Sequence, residues 1–404
     1  MNSSSNLLVL GVTGQVGQLV ARNLKRRNAQ FSVGTRRKAH LEELAAHFGA
    51  SRFIDLDDPR TFDEALKNIT GLFLISGYTV DMLVQSKSLI DAAKRNGVNH
   101  IAHLGAFTRD HDAYSTVFAW HQMIETYLRD SGVAWTNLHP NMFMQNFLSV
   151  WSIKGGVYNA YTSKAVGFTA LEDVAEAAAV ILMEGPEQHN GKDYWFSADV
   201  LTPRQVADTL TDATGRQFTA AVQNAGGFTN HAVQPGSAFE TAYAKGGFEL
   251  FEQVEHGRMA YVGSVIDDTK KLLDREPLLL RDWAKLHANE LLECAGKGES
   301  MNIGVIGTGD IGEVIIRRLR DAGYPVKMAN SRGPESLRGL AAKTGAIPVS
   351  VEQVVQDVDI LFIVVPEKAI PGLPKGLLNR ARKETIVIDV GNYYPYRDGR
   401  IDEL

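Results

Sequence analysis

The chain has 404 residues, too many for one ordinary domain and enough for two or three cores, and its 44% hydrophobic and 22% charged residues are the composition of a folded globular protein. A net charge of −5 argues against a broad basic surface for nucleic acid, and no apolar run approaches the roughly 20 residues that cross a bilayer, so neither partner is expected. Cys294 is the only cysteine, which excludes an intrachain disulfide and fits a reducing cytoplasm, the expected location.

The first 150 residues alternate strand and helix signals, the mark of a parallel α/β sheet. Leu7–Leu10 predicts a strand, and a helix is expected from about Val16 to Arg27. Phe31–Gly34, Arg52–Ile54, Gly71–Ile75 and His100–Leu104 predict strands two to five. Ala134–Leu138 predicts a sixth, stopped by Pro140. Between the first strand and its helix lies Gly11-Val12-Thr13-Gly14-Gln15-Val16-Gly17. In that strand–turn–helix context the glycines permit a tight turn and close backbone approach to a pyrophosphate. The helix that follows aims unpaired N–H groups and its positive dipole end at the anion. Gly11, Thr13, Gly14, Gln15 and Val16 are therefore expected around the phosphates, with Gly17 allowing close helix–sheet packing. Strand two ends in Gly34-Thr35-Arg36-Arg37-Lys38. An acid there would bond a ribose 2′-hydroxyl, whereas the forked donors of Arg36 suit a 2′-phosphate, so NADP(H) is expected; the alternative is a solvated basic turn. Asp55, after strand three, is expected at the adenine amino group, and Ile75-Ser76-Gly77 beside the cofactor ribose.

Residues 151–295 read as a smaller α/β region that binds substrate. Asp173–Val180 opens a helix with a carboxylate near its start. Thr202-Pro203 reads as an N-cap followed by a first-turn proline, and the Gly- and Ala-rich stretch Gln223–Gly247 as a loop over a site. Residues 296–300 are a short polar linker. Residues 301–404 then repeat the strand–helix alternation, with later strands at Val326–Ala329, Ile360–Val365 and Thr385–Val390. A second fingerprint, Gly307-Thr308-Gly309-Asp310-Ile311-Gly312, follows Ile303–Ile306. The expected fold class is α/β: two Rossmann-like doubly wound parallel sheets, the first with a smaller substrate-binding region, and dinucleotide contacts from Gly307, Thr308, Gly309, Asp310 and Ile311 in the second.

Gly11–Gly17, Leu72–Gly77, Asp91–Val98, His100–Ala102, His121–Glu125 and Asp173–Ala175 together carry a resemblance over about 285 residues. The chain there resembles the NmrA-like, atypical short-chain dehydrogenase/reductase group, on the side of its triphenylmethane, NADPH quinone and azo-dye reductases. Ordinary members of that superfamily use a Tyr-x-x-x-Lys pair; the matching positions here look like Val117 and His121. The resemblance thus implies hydride transfer straight to an electron-poor acceptor, by proximity, without a strong general acid. It places Asn141 at the nicotinamide wall. Phe143, Phe147, Trp151 and Tyr158 would stack on a flat aromatic substrate, or else belong to the core. His121 would orient a ribose or donate a proton, with Glu125 one turn on holding it; the alternative is a partly buried structural histidine. The histidines at 100, 103, 111, 121 and 139 lack metal-site spacing, so no metal is expected.

The second fingerprint, with Ala329-Asn330-Ser331-Arg332-Gly333-Pro334-Glu335-Ser336-Leu337, Val364-Val365-Pro366 and Gly391-Asn392-Tyr393-Tyr394-Pro395, resembles the NADPH-binding domain of the NADP-dependent coenzyme F420 reductases. This implies a 2′-phosphate at Ser331 and Arg332 and a further contact at Val365 and Pro366. The helical segment that shapes a deazaflavin pocket in that family has no counterpart in this sequence, so neither F420 nor flavin is expected. Two functions compete: a reductase acting on a flat electron-poor compound (quinone, azo or triphenylmethane dye), and an NADP-binding redox sensor without turnover. A homodimer is left open.

Overall fold

The computed structural model describes residues 6–77, 79–109, 115–149, 152–232, 241–296, 301–321 and 324–391. Trp151, His111, Asn392–Pro395 and residues 297–300 of the expected linker lie outside them. The contacts divide the chain into two compact units, Met1–Gly296 and Lys297–Leu404.

In the first unit β1 (Leu7–Val9), β2 (Phe31–Thr35), β3 (Ser51–Phe53), β4 (Gly71–Leu74), β5 (His100–Leu104) and β6 (Ala134–Pro140) form a parallel sheet. Smaller strands follow: β7 (Met142–Phe143), β8 (Ile153–Lys154), β9 (Val157–Ala160) and β10 (Val166–Thr169). The last of the unit are β11 (Lys192–Ser197), β12 (Asp199–Leu201), β13 (Thr219–Val222) and β14 (Ile266–Asp267). The large sheet runs β14-β11-β6-β5-β4-β1-β2-β3, so β11 and β14, from the stretch after residue 150, complete it. Only β14 pairs antiparallel, on β11. Strands covered on both faces must be apolar throughout rather than alternating, and every residue of β1, β2, β4 and β5 is buried. One face is covered by helices Gln15–Arg26 and Leu171–Glu184, which bring Val20, Leu24, Ala178 and Leu182 into one core. The other takes Leu89 and Ile90 from helix Met82–Arg95 and Ile124 and Leu128 from helix Thr116–Asp130. A third core, with Phe147, Phe168, Leu210 and Trp283, lies under the two small sheets β12-β10-β7 and β13-β9-β8.

Two local expectations need correction. Pro140 does not stop the sixth strand at Leu138: β6 runs on to pair Pro140 with Phe196 of β11. Pairing with β5 has already ended at Leu104–Leu138, so the missing N–H of Pro140 faces no strand, the one setting in which a sheet tolerates proline. The stretch Gln223–Gly247 is no loop overall, since Ala225–Ala232 and Thr241–Glu255 are helices. Its small residues serve packing: a Cβ on Gly247 would stand 2.0 Å from the Phe228 ring. The N-cap at Thr202 is as expected, in a reciprocal capping box with Gln205.

The second unit is a five-stranded parallel sheet. Its strands are β15 (Ile303–Ile306), β16 (Val326–Ala329), β17 (Ile347–Pro348), β18 (Ile360–Ile363) and β19 (Ile386–Asp389), in the order β17-β16-β15-β18-β19.

The tightest approach in the first unit's glycine turn is at Gly17, where a Cβ would lie 2.4 Å from the Leu10 carbonyl oxygen and 2.5 Å from the Gly11 carbonyl. Backbone atoms cannot step aside as a side chain can. Gly17→Ala is therefore expected to cost about 2 kcal/mol or more in urea unfolding; a loss under about 0.5 kcal/mol would show that the turn is not closely packed.

Candidate cofactor crevice and aromatic cavity

The strand order reverses between β1 and its neighbours β2 and β4, which opens a crevice at the C-terminal edge of the sheet. The glycine turn fills that position. Gly11 has φ +69°, and a Cβ there would meet Ile75 at 2.7 Å; only glycine holds this conformation without strain so close to β4. Gly14 is the N-cap of helix Gln15–Arg26; it makes no side-chain cap, and no acid lies in the first turn. Thr13, Gly14 and Gln15 are exposed and Val16 half-buried. The first-turn N–H groups thus face outward with no side-chain oxygen competing for them, which suits a diphosphate. Arg36 is exposed just beyond β2, and among the described residues no carboxylate pairs with it. Ser76 and Gly77 continue the edge past Ile75, half-buried and exposed. Asp55 is half-buried, and its carboxylate accepts from the Asp57 N–H (3.2 Å).

Along the same edge, past the ends of β5 and β6, a cavity of about 200 Å³ opens. Its wall includes Phe107, Val117, Phe118, Phe143, Phe147, Tyr158, Tyr161, Phe228 and Phe251. Of the aromatics expected from sequence, Phe143, Phe147 and Tyr158 reach it. Phe147 is also core, 5.3 Å from Tyr158 edge-on and 5.2 Å from Phe168. Sequence reasoning missed Phe107, Phe118, Phe228 and Phe251, because residues far apart in the chain meet there and no short spacing announces it.

Asn141 also lines the cavity, but its side chain is fully engaged. Its amide nitrogen donates to Ser197 Oγ (3.1 Å) and the Val262 carbonyl (2.9 Å), and its oxygen accepts from the Met142 N–H (3.0 Å). It ties the end of β6 to β11 and to the 260–263 turn. Gly167 packs on this latch, where a Cβ would lie 2.1 Å from Ser197 Oγ.

His121 lies behind the cavity wall, only 3% exposed, while Val117, one turn earlier on the helix, forms part of that wall. Burial, and then the nearby His103 and His139, push the imidazole of His121 well below its ordinary range. A neutral, enclosed ring is a poor acid at neutral pH. His103, with Nδ1 3.3 Å from Asn137 Oδ1, is pushed down to about 4 mainly by burial, as is His100. His139 differs. Burial opposes its charged form, but the hydrogen bond from Nε2 to Asp193 (2.8 Å) and the charge of Glu125, 3.6 Å from Nδ1, outweigh it and raise the net value. Glu125 therefore stands beside His139 and, at 4.0 Å, Arg129. Among the described residues no group of three or more His, Cys, Asp or Glu side chains could hold a metal.

In the second unit Gly307 (φ +102°) and Gly312 are packing glycines, whose Cβ atoms would meet the Val364 and Gly307 carbonyl oxygens at 2.1 and 2.0 Å. Gly309, Asp310 and Ile311 are exposed and Thr308 half-buried. The first helical turn here carries Asp310 and Glu313. Ser331 and Arg332 are exposed on the turn after β16, where Asn330 accepts from the Arg332 N–H (3.0 Å), and Val365 and Pro366 are half-buried after β18.

The NmrA-like family model matches residues 3–244, and the model for NADP oxidoreductase, coenzyme F420-dependent, matches residues 302–393. NAD(P)H azoreductase of Xenophilus azovorans is 28% identical over 287 residues, 70% of this chain and 98% of that protein. Quinone oxidoreductase 2 of Escherichia coli is 30% identical over 220 residues, 53% of this chain and 76% of that protein. The structure of Citrobacter sp. triphenylmethane reductase complexed with NADP(H) matches with TM-score 0.60 and 23% identity, over 70% of this chain and 99% of that one.

The buried histidines set a pH dependence. Below the ordinary imidazole value of 6.5 the unfolded chain takes up protons at positions 100, 103 and 121, whereas in the folded chain His100 and His103 stay neutral down to about 4 and His121 stays neutral well below 6.5. Stability is therefore present above 6.5 and lost as pH falls, by up to about 1.4 kcal/mol per pH unit for each group. His139 acts oppositely: its contribution is complete below 6.5 and is lost as pH rises through its raised value. Urea midpoints should thus fall between about pH 6.5 and 4.5, before most carboxylates titrate. A flat profile there would mean that these imidazoles are protonated in the folded protein.

Proposed function

The chain belongs to the NmrA-like family, and from that premise we propose that its first unit is an NADPH-dependent reductase. It passes hydride directly to a flat, electron-poor acceptor such as a quinone, an azo compound or a triphenylmethane dye. The observation that carries this reading is the continuity of one sheet edge, with an uncapped glycine turn after β1 and an aromatic cavity past β5 and β6. The similarity to an azoreductase and a quinone oxidoreductase supports it.

The residues fit the cofactor. The amides opening helix Gln15–Arg26 receive the diphosphate, and Arg36 the 2′-phosphate, with Ile75, Ser76 and Gly77 along the ribose. When bound, reduced nicotinamide supplies the hydride. The cavity's contribution is to hold the acceptor's ring system flat between aromatic side chains and to keep bulk water from the reacting face. Neither Val117 nor the neutral, enclosed His121 offers a proton at that face, so the acceptor accepts hydride unaided; the anion left by a quinone or azo compound then takes a proton from solvent, and a triarylmethane cation needs none. His121 becomes a structural residue and Asn141 a positioning one that shapes the cavity wall. The second unit is proposed as an NADP-binding domain without F420 chemistry, its anion site weakened by Asp310.

NADPH oxidation by the full chain with a panel of quinones and dyes tests this reading. Turnover supports it, whereas tight NADPH uptake with no turnover on any acceptor would favour a redox sensor. Arg36→Ala should raise the Michaelis constant for NADPH about tenfold, the worth of a hydrogen bond to a charged group, and leave that for NADH little changed. Equal effects on both cofactors would remove the 2′-phosphate role.

A further inference from the structure

Building on that reading, we infer that the cavity selects its acceptor by charge, with Lys164 at its mouth favouring flat aromatics that carry a sulfonate or carboxylate and disfavouring cationic dyes.

Among the described residues lining the cavity there is no aspartate or glutamate, and Lys164 is the one cation. The two phenols of the wall stay protonated: burial raises Tyr158 strongly and brings Tyr161 to about 12. The described lining residues therefore present no negative charge at neutral pH. Two carboxylates, Glu255 and Glu249, bond to residues at or next to the described lining. Glu255 accepts from Thr162 Oγ1, Ser163 N and Ser163 Oγ, each at 2.7 Å; these bonds, with the attraction of Lys164, hold its carboxyl down at about 2, so it stays ionised and offsets part of the Lys164 charge. Glu249 accepts from the backbone N–H and hydroxyl of Thr116, both at 2.7 Å, and pairs with Lys245 at 3.4 Å.

Asn159, Thr162 and Lys164 follow one another on β9 and the turn after it, and Phe143, Phe147 and Phe168 supply part of the apolar wall. An acceptor with an apolar ring system and one anionic substituent matches that lining. A triarylmethane cation would meet a lysine and no carboxylate among the described lining residues, so within one binding mode its charge works against it. Lys164 is exposed, so water screens its effect, and a few-fold preference is the expected scale.

The experiment measures NADPH oxidation by the full chain with three acceptors: menadione (neutral), a naphthoquinone sulfonate (anionic) and crystal violet (cationic). The comparison is between the unaltered protein and Lys164→Gln and Lys164→Glu, so each acceptor's own reactivity cancels. Lys164→Glu should lower kcat/KM for the sulfonate, relative to menadione, by about fivefold, chiefly through KM, and shift the crystal violet ratio the other way; Lys164→Gln should lie between. Melting temperatures within about a degree of the unaltered protein would show that the fold is intact. Ratios that stay within about twofold for all three acceptors overturn the inference while leaving the reductase reading in place. Absence of turnover with every acceptor defeats the reductase reading instead. Charge selection is then read from equilibrium binding of menadione and the sulfonate to the NADPH-loaded protein, where a sulfonate affinity unmoved by Lys164→Glu overturns it.

Discussion

The packing of helix Gln15–Arg26 on the end of β1 is the constraint from which the rest of the first unit follows. A Cβ on Gly17 would stand only 2.4 Å from the Leu10 carbonyl oxygen, so the helix can seat only where that position has no side chain. Once seated, it cannot begin with an ordinary side-chain cap, because Gly14 occupies the N-cap. Its first N–H groups are left pointing out of the sheet edge, where a bound anion would satisfy them. One steric requirement thus fixes the helix in register with the sheet and leaves its N-terminus open.

What was legible in the sequence was whatever depends on residues close in the chain. The glycine turns, the buried parallel strands and the N-cap at Thr202 are local, and each appears where its pattern stood. The cavity is not local. Phe107, Phe147, Phe168 and Phe251 come from four separate stretches of chain, and β7 pairs with β10 beside the main sheet where they meet. The helices at 225–232 and 241–255 were hidden for a related reason. Their glycines lower helix propensity, and the compensating contacts, Gly247 on Phe228 and Gly246 on Val117, are tertiary. Asn141, which the resemblance put at the nicotinamide wall, lines the cavity, and only the three-dimensional arrangement shows its amide tied to Ser197 and Val262.

The histidines make the same point about charge. In sequence His121 is a plausible donor because an imidazole titrates near neutrality. In the fold it shares a dry interior with His103 and His139, and mutual repulsion adds to desolvation. Only one ring of that group is stabilised as a cation, His139, through Asp193 and Glu125. Glu125, one turn on from His121, also stands beside His139 and Arg129.

The two glycine turns show how little the fingerprint alone decides. Both use their glycines for packing, with Gly17 and Gly312 each pressed against the carbonyl of the first glycine. Yet the first helix opens without an acid and the second opens with Asp310 and Glu313. A carboxylate in the first turn already satisfies the dipole that would attract a diphosphate, and it repels the incoming charge. Glu313 is partly withdrawn by its 2.6 Å bond from Arg317, whereas Asp310 remains exposed at the turn itself. The same backbone shape therefore presents an open anion seat in one unit and a partly filled one in the other, and the difference lies in a single side chain beside the turn rather than in the glycines that define it.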